Sequence, residues 1–161
     1  MGAVTGKRMI AYVVCGVLVL SLVSMAVQGW LSHRPVSVGL VDGKLRACPS
    51  SPNCVSSDAP PGKQFVRPLS QPGGDATSLA AVRRAIEATP RTRIISATEG
   101  YLHAEFESLI FRFVDDVEIQ RRPAENVLRV RSASRVGYWD LGTNRRRVER
   151  LRRLLEQRAS H

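Results

Sequence analysis

The feature that most constrains the fold of this chain is a long apolar run near its N-terminus. Residues 9–31 contain no charged side chain over 23 positions. A helix of that length, at about 1.5 Å per residue, crosses a hydrocarbon core of about 30 Å. Trp30 lies at the far end of the run, where an aromatic ring favours the membrane interface. The sequence therefore predicts a cytoplasmic tail over residues 1–8 and a transmembrane anchor over residues 9–31.

The charges on the two flanks of the run predict its orientation. Lys7 and Arg8 precede it, and flanks rich in Lys and Arg stay on the cytoplasmic side. After this single pass, the remainder of the chain is expected on the periplasmic or extracytoplasmic side of the inner membrane. Two alternatives stay open. The run could instead be a cleaved signal peptide, because Ser24 and Ala26 are small residues at the spacing of a signal-peptidase site, although the apolar run continues past them. His33 and Arg34 place positive charge on the second flank as well, as the reverse orientation would require.

Composition indicates one ordinary globular core beyond the apolar run. Hydrophobic residues make up 43% of the 161 positions and charged residues 24%, with a net charge of +10. Such a charge raises nucleic acid as a partner, but all except three of the 24 basic residues are arginine, a bias that coding composition also produces. We therefore predict a solvated basic surface and no nucleic-acid partner.

Two of the three cysteines are close enough in sequence to pair. Cys48 and Cys54 flank a short segment with two prolines, and an oxidising compartment outside the cytoplasm would let them form a disulfide. Cys15 lies alone in the apolar run. The spacing is not that of a CxxC redox motif, and the three histidines do not complete a zinc pattern with these thiols. We predict a structural disulfide within a tether and cysteine loop that covers residues 32–62.

The apolar pattern of residues 63–158 predicts the fold class. Helical spacing appears ahead of Pro90, in a helix that Asp75 or Thr77 can cap, and returns from Thr143. Between them the period changes to two. Short turns between the strands favour an antiparallel meander, and we predict an α+β domain in which four to five antiparallel strands carry two helices on one face. The predicted strands cover residues 64–69, 93–97, 101–106, 111–119 and 126–131.

Charged side chains alternate with this apolar pattern. Asp115, Asp116 and Glu118 could offer oxygen ligands to a metal ion, but alternation along a strand lets at most two of them converge. We therefore predict no metal site, and an arginine partner or a β-bulge at Asp115. The sheet face away from the helices is predicted to be mostly solvated, with cross-strand ion pairs among its polar residues. These are His103, Glu105, Arg112, Glu118, Arg129 and Arg131.

The link between the last strand and the last helix is the strongest candidate for a site. Residues 131–145 bring many polar side chains into one turn region, and Gly137 and Gly142 give its backbone freedom. Asp140, Thr143 or Asn144 can cap the helix, whose free amides would suit a carboxylate or phosphate beside nearby arginines. A structural alternative is that Asp140 and Arg135 pair with each other and lock the turn. The predicted ligand-binding residues are Ser132, Ser134, Arg135, Tyr138, Asp140, Asn144 and Arg145.

Three ordered motifs resemble a known family. They are Cys48-Pro-Ser-Ser-Pro-Asn-Cys-Val-Ser-Ser57, Phe113-Val-Asp-Asp-Val-Glu118 and the stretch from Arg131 to Val148, and they resemble the family catalogued as domain of unknown function 1499 over residues 45–155. The resemblance implies a bacterial or plastid protein, often with an N-terminal export or anchor segment, and it implies no particular activity. Trp139 departs from the family pattern, in which a smaller residue, often serine, is expected.

Together these features predict a membrane-anchored extracytoplasmic domain that binds an anionic ligand or an envelope partner, without a cofactor. Two alternatives are a hydrolase that uses Ser134, Asp140 or Glu105, and a structural component of the envelope. No Gly-x-Ser-x-Gly elbow supports a catalytic triad. The sequence therefore identifies a candidate surface and leaves catalytic residues unassigned.

Overall fold

The apolar run forms one continuous helix, α1, which covers Gly2–Ser32. The structure, a computed structural model, describes residues 2–34, 36–70 and 77–159. Within α1 the segment Gly6–Leu31 is long and apolar enough to cross a membrane, a property that N-terminal signal sequences share. Its apolar side chains are largely exposed, as expected of a helix that would meet lipid instead of a protein core.

An antiparallel sheet with helices on one side forms the rest of the chain, which confirms the predicted α+β class. The helices are α2, Thr77–Glu87, and α3, Thr143–Ala159. The strands are β1 Leu40–Val41, β2 Lys44–Leu45, β3 Cys54–Ser56, β4 Leu69–Ser70, β5 Thr92–Ala97, β6 Tyr101–Glu107, β7 Val114–Arg122 and β8 Val127–Ser134. The main sheet has the order β3-β8-β7-β6-β5, and β4 also pairs with β8. Short turns join β5 to β8, which gives the meander.

The predicted strand over residues 64–69 is wrong in its extent. Only Phe65 forms a bridge there, to Ser56, and the strand proper is Leu69–Ser70. Pro68 has no backbone N–H to donate to a ladder, so pairing begins only after it. The predicted helix cap Asp75 lies outside the described residues.

The hydrophobic core lies between the sheet and the two helices. Alternate residues of β6, β7 and β8 face the helices, among them Leu102, Ile119 and Leu128, each almost fully buried. Ile86 of α2 and Leu151 of α3 complete the same cluster. The apolar residues at helical spacing and those at strand spacing therefore form one buried layer. This layer determines which face of each strand is turned to the helices.

The opposite face of the sheet differs from the prediction of a mostly solvated surface. Asp116 is 2% exposed, and Glu118 is fully buried where residues 36–47 lie over it. The backbone N–H of Gly39 donates to Glu118 at 2.6 Å, and Gln120 donates to the carbonyl of Gly43 at 2.7 Å. The segment expected to be a tether thus covers a layer of charges.

The cysteine loop also belongs to the domain. Cys48 and Cys54 form the predicted disulfide, with a Cα–Cα distance of 5.7 Å. Cys54 begins β3, which pairs with β8 at the edge of the sheet. The folded domain therefore starts before residue 63, which is the position that the apolar pattern of the sequence had predicted as its beginning.

Candidate functional site

The C-terminal end of α1 packs directly on the sheet. Gly29 approaches the Phe111 carbonyl so closely that a side chain at position 29 would collide with it. The hydroxyl of Ser32 donates to the Gly29 carbonyl at 2.5 Å and accepts from the Val114 N–H at 2.9 Å. Arg135 donates to the carbonyl of Ser32 at 3.1 Å. Helix α1 is therefore joined to β7 and to the residue that follows β8.

Asp140, one of the three candidate caps in the sequence, is the residue that caps α3. Its two carboxylate oxygens accept from the backbone N–H groups of Gly142 and Asn144, both at 2.8 Å. The preceding turn contains Gly137 with φ +81°, and Leu141 adopts φ +55° beside Gly142. A negative charge at the start of a helix also complements the helix dipole. The amides that could have received an anion are thus partly occupied by Asp140.

A buried polar cluster lies beneath this cap, on the helix-facing side of the sheet. Asn144 joins both serines, because its Oδ1 accepts from Ser132 at 2.6 Å and its Nδ2 donates to Ser134 at 2.9 Å. Arg147 donates to Asn144 and, at 2.6 Å, to Asp115. The arginine partner predicted for Asp115 is therefore present, and its charge is neutralised within the fold.

Arg135 lies on the opposite face of the sheet, in the charged layer. It donates two hydrogen bonds to Asp116, at 2.7 and 2.8 Å, and one to Glu105 at 2.6 Å. His103 also contacts Asp116 at 2.7 Å. Burial raises the pKa of Asp116, but the hydrogen bonds from Arg135 and His103 outweigh it, so the pKa of this carboxyl lies below its ordinary value. Asp116 is therefore a buried anion compensated by its partners.

A second group in the same layer surrounds Glu118. Tyr101 donates to one of its oxygens at 2.7 Å, and Arg131 donates to the other at 2.8 Å. Burial, followed by the contact with Glu118, raises the pKa of Tyr101 far above its ordinary value. With the Gly39 amide also bound, this carboxylate is held by three donors, and the arrangement is that of a structural network.

The predicted site residues separate into groups. Ser132, Ser134, Asp140 and Asn144 come together at the start of α3. Arg135 lies on the other face, Tyr138 is exposed, and Arg145 donates to the carbonyls of Lys63 and Phe65. The turn is not locked by an Asp140–Arg135 pair, since each has other partners.

The three side chains considered for a hydrolase do not converge. Asp115 pairs in register with Ser134, and Asp116 pairs with Glu105. Because neighbouring strand residues face opposite sides, Glu105 lies across the sheet from Ser134. Asp140 is engaged as a helix cap, and the hydroxyl of Ser134 contacts Asn144.

Two adjoining cavities open beside the cap. The first, of about 330 Å³, is lined by Met25 and Gln28 of α1 together with Ser134, Trp139, Leu141 and neighbouring residues. The second, of about 220 Å³, is lined by Phe106, Leu151 and Leu154 with Arg146, Arg147 and Arg150. Thr143 lines both. The polar link therefore lines the first of two mainly apolar cavities that share Thr143, and the two cavities are together called the groove.

Sequence reasoning missed the groove residues contributed by α1 and the arginine face of α3. Met25 belongs to the predicted transmembrane anchor, and Arg150 to the basic surface that was predicted to be solvated. The available sequence signal for a contact between α1 and the domain was Gln28, because it is the one carboxamide side chain in residues 9–31. The local sequence pattern could not show that the end of α1 packs against the link.

Comparison with protein families identifies residues 44–155 with the model of DUF1499, described as a protein of unknown function. The chain belongs to the DUF1499 family. No curated protein and no solved structure matches it. The DUF1499 match covers the main sheet, the disulfide, α2 and most of α3, and it leaves out α1. In this DUF1499 protein, Met25 and Gln28 therefore complete a groove that the family segment alone does not enclose.

Proposed function

We propose that this protein is a single-pass inner-membrane protein whose extracytoplasmic domain binds an anionic amphiphile in the groove beside α3. The ligand would carry a phosphate or carboxylate head and one apolar chain. The observation that carries the proposal is uncompensated positive charge beside an apolar cavity. The topology is supported by Lys7 and Arg8 near the N-terminal end of α1 and by a disulfide suited to an oxidising compartment.

The charges around the groove favour an anionic head. Asp115 is neutralised by Arg147, and the carboxylate of Asp140 accepts hydrogen bonds from the amides at the start of α3. In the part of the chain that the structure describes, the hydrogen bonds of Arg146 go to neutral acceptors, the Leu141 carbonyl and the Thr143 hydroxyl. Arg150 has no hydrogen bond or ion pair within residues 2–34, 36–70 and 77–159. Two guanidinium groups therefore remain available to a phosphate, which suits their forked donors.

The walls of the groove favour an apolar chain attached to that head. Trp139, Leu141 and Met25 line the larger cavity, and Phe106 and Leu154 line the smaller one. Burial of apolar ligand surface contributes about 25 cal/mol per Å² before the costs of association are subtracted. Since α1 forms part of the wall, a lipid could enter from the adjacent bilayer.

The test compares two single-chain lipids with the same acyl chain. Native mass spectrometry of the full chain in detergent would measure binding of lysophosphatidylglycerol, which is anionic, and lysophosphatidylcholine, which has no net charge. We expect preference for the anionic lipid, and Arg150→Gln should weaken its binding about tenfold, because a hydrogen bond to a charged group contributes about 1.5–3 kcal/mol.

Arg153→Gln is the matched control, since Arg153 is an exposed arginine of the same helix that does not line either cavity. It should leave binding unchanged. Equal binding of the two lipids, or an equal loss in both variants, would reject the anionic ligand and favour an envelope protein partner or a structural role.

A further inference from the structure

The most exposed large apolar side chains outside α1 lie on two loops. Leu109 and Ile110 are 71% and 77% exposed in the turn between β6 and β7. Tyr138, Trp139 and Leu141 are 74%, 67% and 67% exposed in the link before α3. Every other large apolar residue of the described domain is less than half exposed. Such a concentration marks an interaction surface.

Both loops lie against the end of α1. The turn between β6 and β7 contacts it where the Phe111 carbonyl abuts Gly29. The link contacts it at the larger cavity, where Trp139 and Leu141 share a wall with Met25 and Gln28. The exposed side chains are therefore next to the last two turns of the helix.

The length of α1 gives the depth of these contacts. The uncharged run of residues 9–31 has 23 residues, which is about 35 Å of helix, whereas the hydrocarbon core needs about 30 Å. With Lys7 and Arg8 at the cytoplasmic interface, the last turn of the run would reach the headgroup region on the other side. Gly29 lies in that turn and Met25 lies one turn before it, so the loops that touch them would lie at the interface or just below it. Tyr and Trp are the residues that favour this depth.

Basic side chains border the same end of the domain. Arg34 lies over the Trp30 ring at 5.4 Å. Arg91 and Arg112 line a cleft of about 370 Å³ together with His33, the residue that follows α1, and Arg112 forms an ion pair there with Glu107. Positive side chains at this level attract anionic lipid headgroups. The surface thus has an apolar centre and a basic border, as interfacial membrane-binding surfaces do.

We propose that the two loops insert into the outer interface of the bilayer that α1 spans, so that the domain is docked on lipid as well as anchored. The docking surface consists of Leu109, Ile110, Tyr138, Trp139 and Leu141. This inference rests on the proposed membrane anchoring by α1 and does not depend on ligand binding in the groove. The bilayer is the occupant because the helix that enters it holds both loops at its surface.

Tryptophan fluorescence can test the insertion, because Trp30 and Trp139 are the two tryptophans of the chain. Trp30→Phe leaves Trp139 as the reporter, and Trp139→Phe leaves Trp30 as the matched control for the anchor. Each full-length variant would be placed in vesicles of phosphatidylglycerol and phosphatidylcholine that carry a spin label near the headgroups. We expect a blue-shifted Trp139 emission that loses most of its intensity to the lipid-borne quencher and little to aqueous iodide.

Three results would overturn the proposal in different ways. Quenching of Trp30 but not of Trp139 by the labelled lipid would leave the anchor in place and reject the docking. Quenching of neither residue would reject both. Protection of Trp139 from iodide without quenching by lipid, together with a dimer in sedimentation experiments, would assign the surface to a second copy of the chain.

Discussion

Asp115 and Asp116 are neighbours in sequence, and their side chains lie on opposite faces of the sheet. Asp115 faces the helices and pairs with Arg147 of α3, whereas Asp116 faces the charged layer and pairs with Arg135. Each carboxylate is compensated by an arginine from a different part of the chain. These two arginines are therefore engaged inside the fold and are not available to a partner.

Removal of Arg135 is expected to be costly. Its side chain is 5% exposed, and Arg135→Ala would leave Asp116 buried with His103 as its remaining side-chain partner. Loss of one member of a buried ion pair costs about 3–5 kcal/mol. Arg93→Ala is the control, because Arg93 also binds Glu105 but is 73% exposed, and surface pairs contribute about 0–1 kcal/mol. Urea denaturation of the full chain in detergent would measure the difference, and equal losses would contradict the prediction.

Acid should weaken the same network. The pKa of Asp116 in the folded state lies below its ordinary value of 3.8, and the pKa of Glu105 lies below 4.5. A carboxyl whose folded pKa is depressed stabilises the protein fully above its unfolded pKa and loses that contribution as pH falls through the folded one. The free energy of unfolding should therefore decline below about pH 4.5, and less steeply in Arg135→Ala. Denaturation midpoints across pH 3–7 would show this, and an unchanged slope in the variant would oppose it.

At the scale of elements, the periods of β6, β7 and β8 could be read from the sequence because their apolar residues alternate. The same pattern made Glu118 and Arg131 look solvent-facing. Period alone cannot show that a distant hairpin, β1–β2, covers them, since those strands have two residues each and no apolar repeat. Within the candidate site the helix cap at Asp140 was predictable from local chemistry. The groove was not, because it needs α1 and α3 to meet.

The joint between α1 and the sheet should be sensitive to one methyl group. Gly29→Ala would place a Cβ against the Phe111 carbonyl and disturb the contacts of Ser32, whereas Gly16→Ala meets open space. Alanine favours a helix by about 1 kcal/mol over glycine, so the control should hold or raise stability. We expect a melting temperature several degrees lower for Gly29→Ala in detergent. A matched rise in both variants would argue that α1 does not pack on the domain.

At the scale of the whole molecule, the proposed orientation predicts the redox state of its thiols in cells. Cys48 and Cys54 would face an oxidising compartment and be paired, whereas Cys15 is a free thiol within α1. Alkylation of denatured whole-cell protein with and without prior reduction should add two labels only after reduction. Reactive thiols at Cys48 and Cys54 before reduction would indicate the reverse orientation, because the cytoplasm keeps such pairs reduced.

Val114 and Arg135 donate hydrogen bonds to Ser32, so the domain is joined to the end of α1 without a flexible linker between them. A flexible connector would let it sample a wide volume around its anchor, but here the last turn of the helix is part of the sheet's own hydrogen bonding. In the proposed membrane-anchored arrangement the domain would tilt with α1, so bilayer thickness, which contributes to helix tilt, would also affect the angle at which the domain meets other components of the envelope.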